Sequence, residues 1–229
     1  MQAEPDIDVY NARLAAAYDS LNYGRSLSAY FMRRGHVVLE QAFGPDRHFG
    51  KVVEVGAGAG EHLSFVRHTF DEYLMTDWND IRLQRARDAL PADQQSKVSI
   101  GRQDATQLSL PDGSADRLIA THILEHLYRP HDVLREWHRV LKRGGVMSIL
   151  LPCDPGLLWR FGRLLGPRAS AEKAGIEYDY WMAREHVNPI GNLVVFLRYY
   201  FEDLQETWYP TRLPSTDLNL FYMCHVTKR

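Results

Sequence analysis

The chain has 229 residues, 45% apolar and 24% charged, the balance of a globular protein able to bury a sizeable core. A formal charge of −2 gives no pull toward nucleic acid, whose binders present a basic face. Cys153 and Cys224 stand too far apart in sequence for a metal-binding pair, and no apolar run reaches membrane-span length. The expectation is a cytoplasmic protein made of one α/β domain with additions, since the opening MQAEPDIDVY lacks the apolar centre of a leader.

Residues 1–50 read as a helical cap. Tyr10, Leu14, Tyr18 and Leu21 recur at helical spacing, and a second pattern runs through Tyr30, Phe31, Val37, Val38 and Leu39. Gly44-Pro45-Asp46 marks a turn before the core. The plain role is packing on a sheet; the functional alternative makes Tyr18, Tyr23 or Arg25 part of a lid.

The stretch KVVEVGAGAGEH, Lys51 to His62, is the centre around which the rest of the chain is organised. Val52, Val53 and Val55 read as a buried parallel strand, and Gly56-Ala57-Gly58-Ala59-Gly60 as a sharp turn that lets a ligand approach the backbone. A helix from His62 to Phe70 is expected to point its first N–H groups over that turn. Glu61 stands where a dinucleotide fingerprint wants a small residue, and no Lys-Ser/Thr pair is present, so neither a dinucleotide site nor a P-loop fits. Glu54 would repel a polyphosphate. The loop suits an adenosine ligand with a cationic end.

Glu72 to Thr76 reads as a second strand ending at Asp77, the position from which a carboxylate meets ribose hydroxyls. Trp78 could cover an adenine face; alternatively, Asp77 simply caps the helix from Asp80. Val98 to Gln103 is a third strand ending at Asp104-Ala105, and Asp116 to Thr121 a fourth, leading into His122-Ile123-Leu124-Glu125-His126. An amphipathic helix from Asp132 carries Val133, Leu134, Trp137, Val140 and Leu141 on one stripe. Gly144-Gly145 ends it, and Val146 to Leu151 is a fifth strand closed by Pro152. Strands alternating with helices predict a doubly wound parallel sheet, with ligands at the carboxyl ends of its strands.

Beyond Pro152 the chain changes character. Leu157 to Leu165 is apolar with Arg160 and Arg163 interleaved, and reads as a lid or subunit contact. Asn192 to Phe201 is an apolar helix suited to burial or to a homodimer interface. Leu204 to Tyr209 and Asn219 to Val226 close the sheet as a hairpin.

With these residues in view, Lys51 to Pro152 resembles the class I S-adenosylmethionine-dependent methyltransferases that act on small molecules. VVEVGAGAGEH is similar to their first motif, Asp77 to the acidic end of their second strand, and QDAT with Asp104 to their adenine-side motif. THILEHLYRPHDVLREWHRVLKRGGVMSILLP is similar to their fourth strand, helix and fifth strand. The resemblance implies a Rossmann-like sheet of seven strands, mostly parallel with an antiparallel last strand. It divides one domain into a helical cap (1–50), a donor-binding core (51–152), an acceptor or lid segment (153–215) and closing strands to 229. S-adenosylmethionine would be the methyl donor and S-adenosylhomocysteine the product. Carried over residue by residue, Gly56, Ala57, Gly58 and Gly60 would pass beneath the donor and Glu54 would meet its ammonium. Asp77 would hold the ribose, Trp78 would pack on adenine, and Asp104 with Ala105 would accept from the adenine amino group. Thr121 and His122 would line the donor near its sulfur.

A sulfonium methyl is already activated, so the protein must align nucleophile, methyl carbon and sulfur, and a general base matters only when the acceptor must lose a proton. A hydroxyl acceptor needs one, and His126, His186 and His122 are the candidates. His122, Glu125 and His126 share a face if helical and with His186 have the donor types for a metal, but structural or donor-positioning roles weigh more and no metal is expected. The expected reaction is methyl transfer to a small molecule, at oxygen. Transfer to nitrogen or carbon, or a silent adenosine-ligand-binding partner protein, are the alternatives. No nucleic-acid partner and no membrane insertion are expected.

Overall fold

The computed structural model describes residues 26–164 and 166–229, so Tyr10, Leu14, Tyr18, Leu21, Tyr23 and Arg25 lie outside the described residues. Helix α1 (Leu27–Glu40) is followed by β1 (His48–Val55), a 3-10 turn (Glu61–Phe65), β2 (Thr69–Asp77), α2 (Asp80–Ala89), β3 (Val98–Arg102) and β4 (Ala115–Thr121). A second 3-10 turn (Leu124–His126) leads to α3 (Pro130–Val140) and β5 (Leu141–Pro152). Four helices come next, α4 (Leu157–Leu164), α5 (Pro167–Lys173), α6 (Tyr178–Glu185) and α7 (Ile190–Tyr200), then β6 (Leu204–Tyr209) and β7 (Phe221–Thr227).

The strands form one seven-stranded sheet in the order β3-β2-β1-β4-β5-β7-β6. Strands β1 to β5 pair in parallel, and β7 runs antiparallel to both its neighbours, β5 and β6. The fold is therefore the doubly wound, mostly parallel sheet with an antiparallel last strand that the sequence led us to expect. The strand order reverses between β1 and β4, and in such sheets that crevice is where ligands bind.

Side chains on each strand alternate between two apolar layers, as the two-residue period of a strand requires. Val53, Leu118, Ala120, Met147, Ile149 and Tyr222 join Trp137 of α3 and Leu193 and Leu197 of α7 on one face. Val52, Ile119, Val146, Leu150 and Met223 join Met32 and Leu39 of α1 and Ala86 of α2 on the other. Burying each Val, Leu, Ile or Met among them contributes roughly 1.5–3 kcal/mol.

Helix α1 seats six residues on the sheet, Ala29, Met32, Gly35, His36, Leu39 and Glu40, at three- and four-residue steps. An ion pair wholly inside the core pins it. Arg117 of β4 donates to both oxygens of Glu40 at 2.9 and 2.6 Å and to Ser148 Oγ, with its guanidinium over the Phe43 ring. Truncating one partner of such a pair strands the other charge and costs about 3–5 kcal/mol.

Three elements differ from the sequence reading. The amphipathic helix expected to run to Gly144-Gly145 ends at Val140, and Leu141 to Gly145 already belong to β5. The expected helix from His62 to Phe70 is only the 3-10 turn Glu61–Phe65, because β2 begins at Thr69 to pair with His48 and Val66 is already extended. The apolar helix near residue 195 starts at Ile190 and ends at Tyr200; Leu193, Val194 and Leu197 are buried while Val195 and Tyr199 are exposed.

Candidate functional site

Strand β1 delivers the chain into three residues with left-handed backbone, Gly56, Gly58 and Gly60, at φ 70°, 59° and 87°. Glycine adopts this conformation without a steric penalty. At Gly56 the space is also closed, since a Cβ would sit 2.3 Å from Ile123 Cδ1. The loop is held from below by β2. Ala57 N donates to Thr76 O at 2.8 Å, and Gly58 N donates to Asp77 Oδ2 at 3.0 Å. Asp77 Oδ1 accepts from Asn79 N, and Asn79 in turn caps α2 by accepting from Ile81 N and Arg82 N. Asp77 is therefore no helix cap; Asn79 fills that role, and the Asp77 carboxylate, 5% exposed, is spent on the glycine loop.

A cleft opens above this loop at the crevice between β1 and β4. It is lined by Glu54, Gly56, Ala57, Gly58, Ala59, Glu61 and His62, by His36 of α1, by Ile81, Arg82 and Arg85 of α2, and by Thr121 and His122. Of the residues singled out from the sequence, Glu54, Gly56, Ala57, Gly58, Thr121 and His122 meet here. Gly60, Asp77, Trp78, Asp104 and Ala105 do not line the cleft. Gly60 packs toward Met75 and Ala86, and Trp78 is 67% exposed. Asp104 accepts from the backbone N and hydroxyl of Thr106, and the Ala105 carbonyl accepts from Trp137 Nε1 at 2.8 Å. His36, Ile81, Arg82 and Arg85 escaped the sequence reading. Only the two arginines, three residues apart just after the strand that ends at Asp77, left a signal that could have been used.

The cleft is electrostatically tuned. Burial pushes the Glu54 carboxyl up to about 7; neighbouring His62 and the hydrogen bond from Tyr73 Oη at 2.7 Å act against it. Beneath, His62 Nε2 lies 3.0 Å from Glu40 Oε1, and His62 Nδ1 lies 2.8 Å from His36 Nδ1. Burial would raise the Glu40 carboxyl, but His62 and Arg117 hold it well below the usual carboxylate range. An ionised carboxylate only accepts, so His62 donates to Glu40 through Nε2. The two Nδ1 atoms of His62 and His36 share one hydrogen bond, which locks the two rings to each other. Burial, with His62 and His122 nearby, keeps His36 neutral by lowering its pKa well below the ordinary value.

At the other end of the cleft, β4 stops at Thr121 and His122 takes a left-handed φ of 53°, although its N still donates to Leu150 O at 2.9 Å. A bulky residue held there by its surroundings is a strained position of the kind found at functional sites. His122 Nδ1 lies 3.8 Å from Glu125 Oε1, and His122 Nε2 is buried with no hydrogen-bond partner among the described residues. His126 comes next, its Nε2 3.9 Å from Glu125 Oε1 and its Nδ1 2.8 Å from Glu185 O. His186 arrives from the end of α6, its ring centre 4.9 Å from that of His126 and its Nδ1 2.8 Å from Asp154 Oδ2. The four residues weighed together in the sequence thus converge without sharing a helical face.

Two residues that the sequence left unmarked assemble this end. Asn188 Nδ2 donates to Leu124 O at 3.0 Å and Leu127 O at 2.7 Å, and its N donates to Glu125 O. Asp154, just past β5, holds the His186 ring and pairs with Arg163 of α4. Burial lowers His122 and His126 to about 3, so both rings are neutral at physiological pH. Burial raises the Glu125 carboxyl to about 7.

Residues 53–149, the strands and loops that build the cleft, match the family model described as "Methyltransferase domain". The chain is 26% identical over 123 residues to a probable S-adenosylmethionine-dependent methyltransferase of Mycobacterium tuberculosis, covering 54% of this chain and 43% of that protein. Residues 53–149 thus form a methyltransferase domain, similar to ones that depend on S-adenosylmethionine. Consistent with this, 111 residues are 34% identical to a 2-methyl-6-phytyl-1,4-hydroquinone methyltransferase of Oryza sativa, covering 47% of this chain and 33% of that protein. The chain therefore spans less than half the length of both relatives. In fold, the methyltransferase domain is similar to phosphoethanolamine N-methyltransferase 2 of Haemonchus contortus, whose structure was solved with S-adenosylmethionine. The TM-score is 0.63 at 13% identity, covering 93% of this chain and 56% of that one. The cleft can take such a donor: Gly56 and Gly58 present backbone without side chains, and the buried Glu54 carboxyl lines it together with Arg82 and Arg85. No helix among the described residues is long and apolar enough to cross a membrane.

Proposed function

We propose that this chain transfers the methyl group of S-adenosylmethionine to a small-molecule acceptor, at a hydroxyl oxygen. The observation that carries the reading is the continuity of the two ends of the cleft. His122 lines the space over the glycine loop and also stands 3.8 Å from Glu125 at the histidine cluster.

In this reading Gly56, Ala57, Gly58 and Gly60 carry the donor, and Glu54 pairs with its ammonium once ionised. The ribose and adenine extend out of the lined cleft past the ends of β2 and β3, the ribose toward Asp77 and the loop it fastens, the adenine toward Trp78 with Asp104 and Ala105 at its amino edge. Thr121 and His122 sit toward the sulfur. When bound, the donor supplies an electrophilic methyl on a sulfonium. The protein's own task is to hold an acceptor oxygen in line with that methyl, exclude water and take one proton. By position His122 takes that proton, since its Nε2 has no other partner among the described residues; burial leaves it a weak base, so the acceptor hydroxyl must itself be acidic, as a phenol is. His126 and His186 flank the acceptor.

A second reading, transfer to a ring carbon, has one specific support in the rice relative, whose name carries a hydroquinone. Loss of a hydroxyl proton makes an adjacent ring carbon nucleophilic, so the same proton acceptor serves both. The test is incubation with methyl-labelled S-adenosylmethionine and a panel of low-mass phenols, hydroquinones and amines, with the products separated by mass. Label in a low-mass phenolic product is expected. Donor binding with no transfer to any small molecule would sink the proposal and favour a silent binding protein.

A further inference from the structure

His126 and His186 each commit Nδ1 to an oxygen, the Glu185 carbonyl and the Asp154 carboxylate, both at 2.8 Å. Those oxygens accept, so each ring donates there and presents the lone pair of Nε2 on its other side. This is the tautomer, and the outer pairing, that metal-binding histidines use. Glu125 stands beside them with a side chain 3% exposed. Its Oε1 is 3.9 Å from His126 Nε2, and its buried Oε2 has no hydrogen-bond partner among the described residues. One potential ligand atom from each of Glu125, His126 and His186 lies within 4.8 Å of the other two.

Glu125 thus turns a buried carboxyl oxygen without a partner toward two imidazoles, and the methyl transfer offers it none. We infer that Glu125, His126 and His186 bind one first-row divalent cation of the zinc class. Two imidazoles and one carboxylate suit such ions, whereas calcium and magnesium prefer all-oxygen shells. Ligands about 2.1 Å from a tetrahedral ion stand roughly 3.4 Å apart, so the three draw together by about an ångström on binding, within reach of the Glu125 torsions. The proposed site departs from the expectation, drawn from the sequence, that the chain holds no metal.

Three protein ligands leave a coordination position open. Its place beside His122 lets an acceptor hydroxyl bind the cation, which lowers the pKa of that hydroxyl and eases proton loss. That catalytic role rests on the methyl transfer proposed above; the cation site itself does not.

Protein stripped with chelator and dialysed is titrated with Zn²⁺ alone by calorimetry, and S-adenosylhomocysteine affinity is measured in parallel on the metal-free samples. The expected result is one Zn²⁺ per chain, lost in Glu125→Gln and His186→Gln and weakened by about 10–100-fold in Asp154→Asn. Retained S-adenosylhomocysteine binding shows that the variants are folded; if Glu125→Gln is not, the more exposed His126→Gln replaces it. No Zn²⁺ binding by the native chain, or binding unaltered in Glu125→Gln and His126→Gln, overturns the cation site and leaves the transfer proposal standing. Zn²⁺ bound by a chain that takes no S-adenosylhomocysteine supports the cation site and overturns the transfer proposal.

Discussion

The two ends of the cleft are built in different ways. The donor end is local in sequence. Glu54, the three glycines and Asp77 come from two adjacent parallel strands, and one hydrogen bond from Gly58 N to Asp77 joins loop to strand end. The histidine end is assembled from afar: His186 meets His126, 60 residues earlier, because Asn188 clasps the turn at Leu124–His126 and Asp154 holds the imidazole. A local site depends on backbone conformation, whereas a distant one depends on a few latches. Variants should separate the two.

The largest effect is expected at Gly58. Arginine there meets a left-handed backbone and fills the space over the loop, so Gly58→Arg should abolish S-adenosylhomocysteine binding by calorimetry. Unchanged affinity would remove the loop from the site. Asp77→Ala comes next, weakening donor affinity by about 1–3 kcal/mol through lost charged hydrogen bonds. A fall in melting temperature with donor affinity intact would limit Asp77 to fastening the loop. Asn188→Ala should act at the other end alone. It removes the side-chain hydrogen bonds to Leu124, Glu125 and Leu127, should cost about 1–3 kcal/mol of stability in a denaturant titration and slow transfer, and should leave donor affinity unaltered. Weakened donor binding in this variant would show that the two ends are one unit.

The smallest effect is a dependence on pH. Glu54, raised to about 7 by burial and faced by His62, Tyr73, Glu61 and Glu40, holds its proton better in the fold than in the unfolded chain. Its ionisation therefore costs stability as pH rises from 4.5 toward 7, and a bound ammonium offsets that cost. Donor affinity should rise by up to about tenfold between roughly pH 6 and pH 8, and Glu54→Gln should flatten the rise. A flat profile in the native chain would detach Glu54 from the donor.

The same contrast explains how much was legible before the fold was known. Periodicity and glycine spacing gave the strands, their order of appearance and the loop, because these depend on residues within one strand-turn unit. The His62–Phe70 helix failed since the need of β2 to pair from Thr69 overrode local pattern. His36 was invisible because it enters the cleft from α1 only through the buried Glu40–Arg117 pair, a contact between residues 77 positions apart. The histidines were noticed by type, but their tautomers depend on Glu185 and Asp154, which nothing in the sequence connects to them.

The most direct measurement is carbon-13 NMR of low-mass products formed from S-adenosylmethionine carrying a carbon-13 methyl. Methyl transfer to a hydroxyl predicts a new methyl resonance in the oxygen-bound range from a phenolic acceptor, absent in Gly58→Arg. Label confined to macromolecules, or a donor that binds and never loses its methyl, would contradict it.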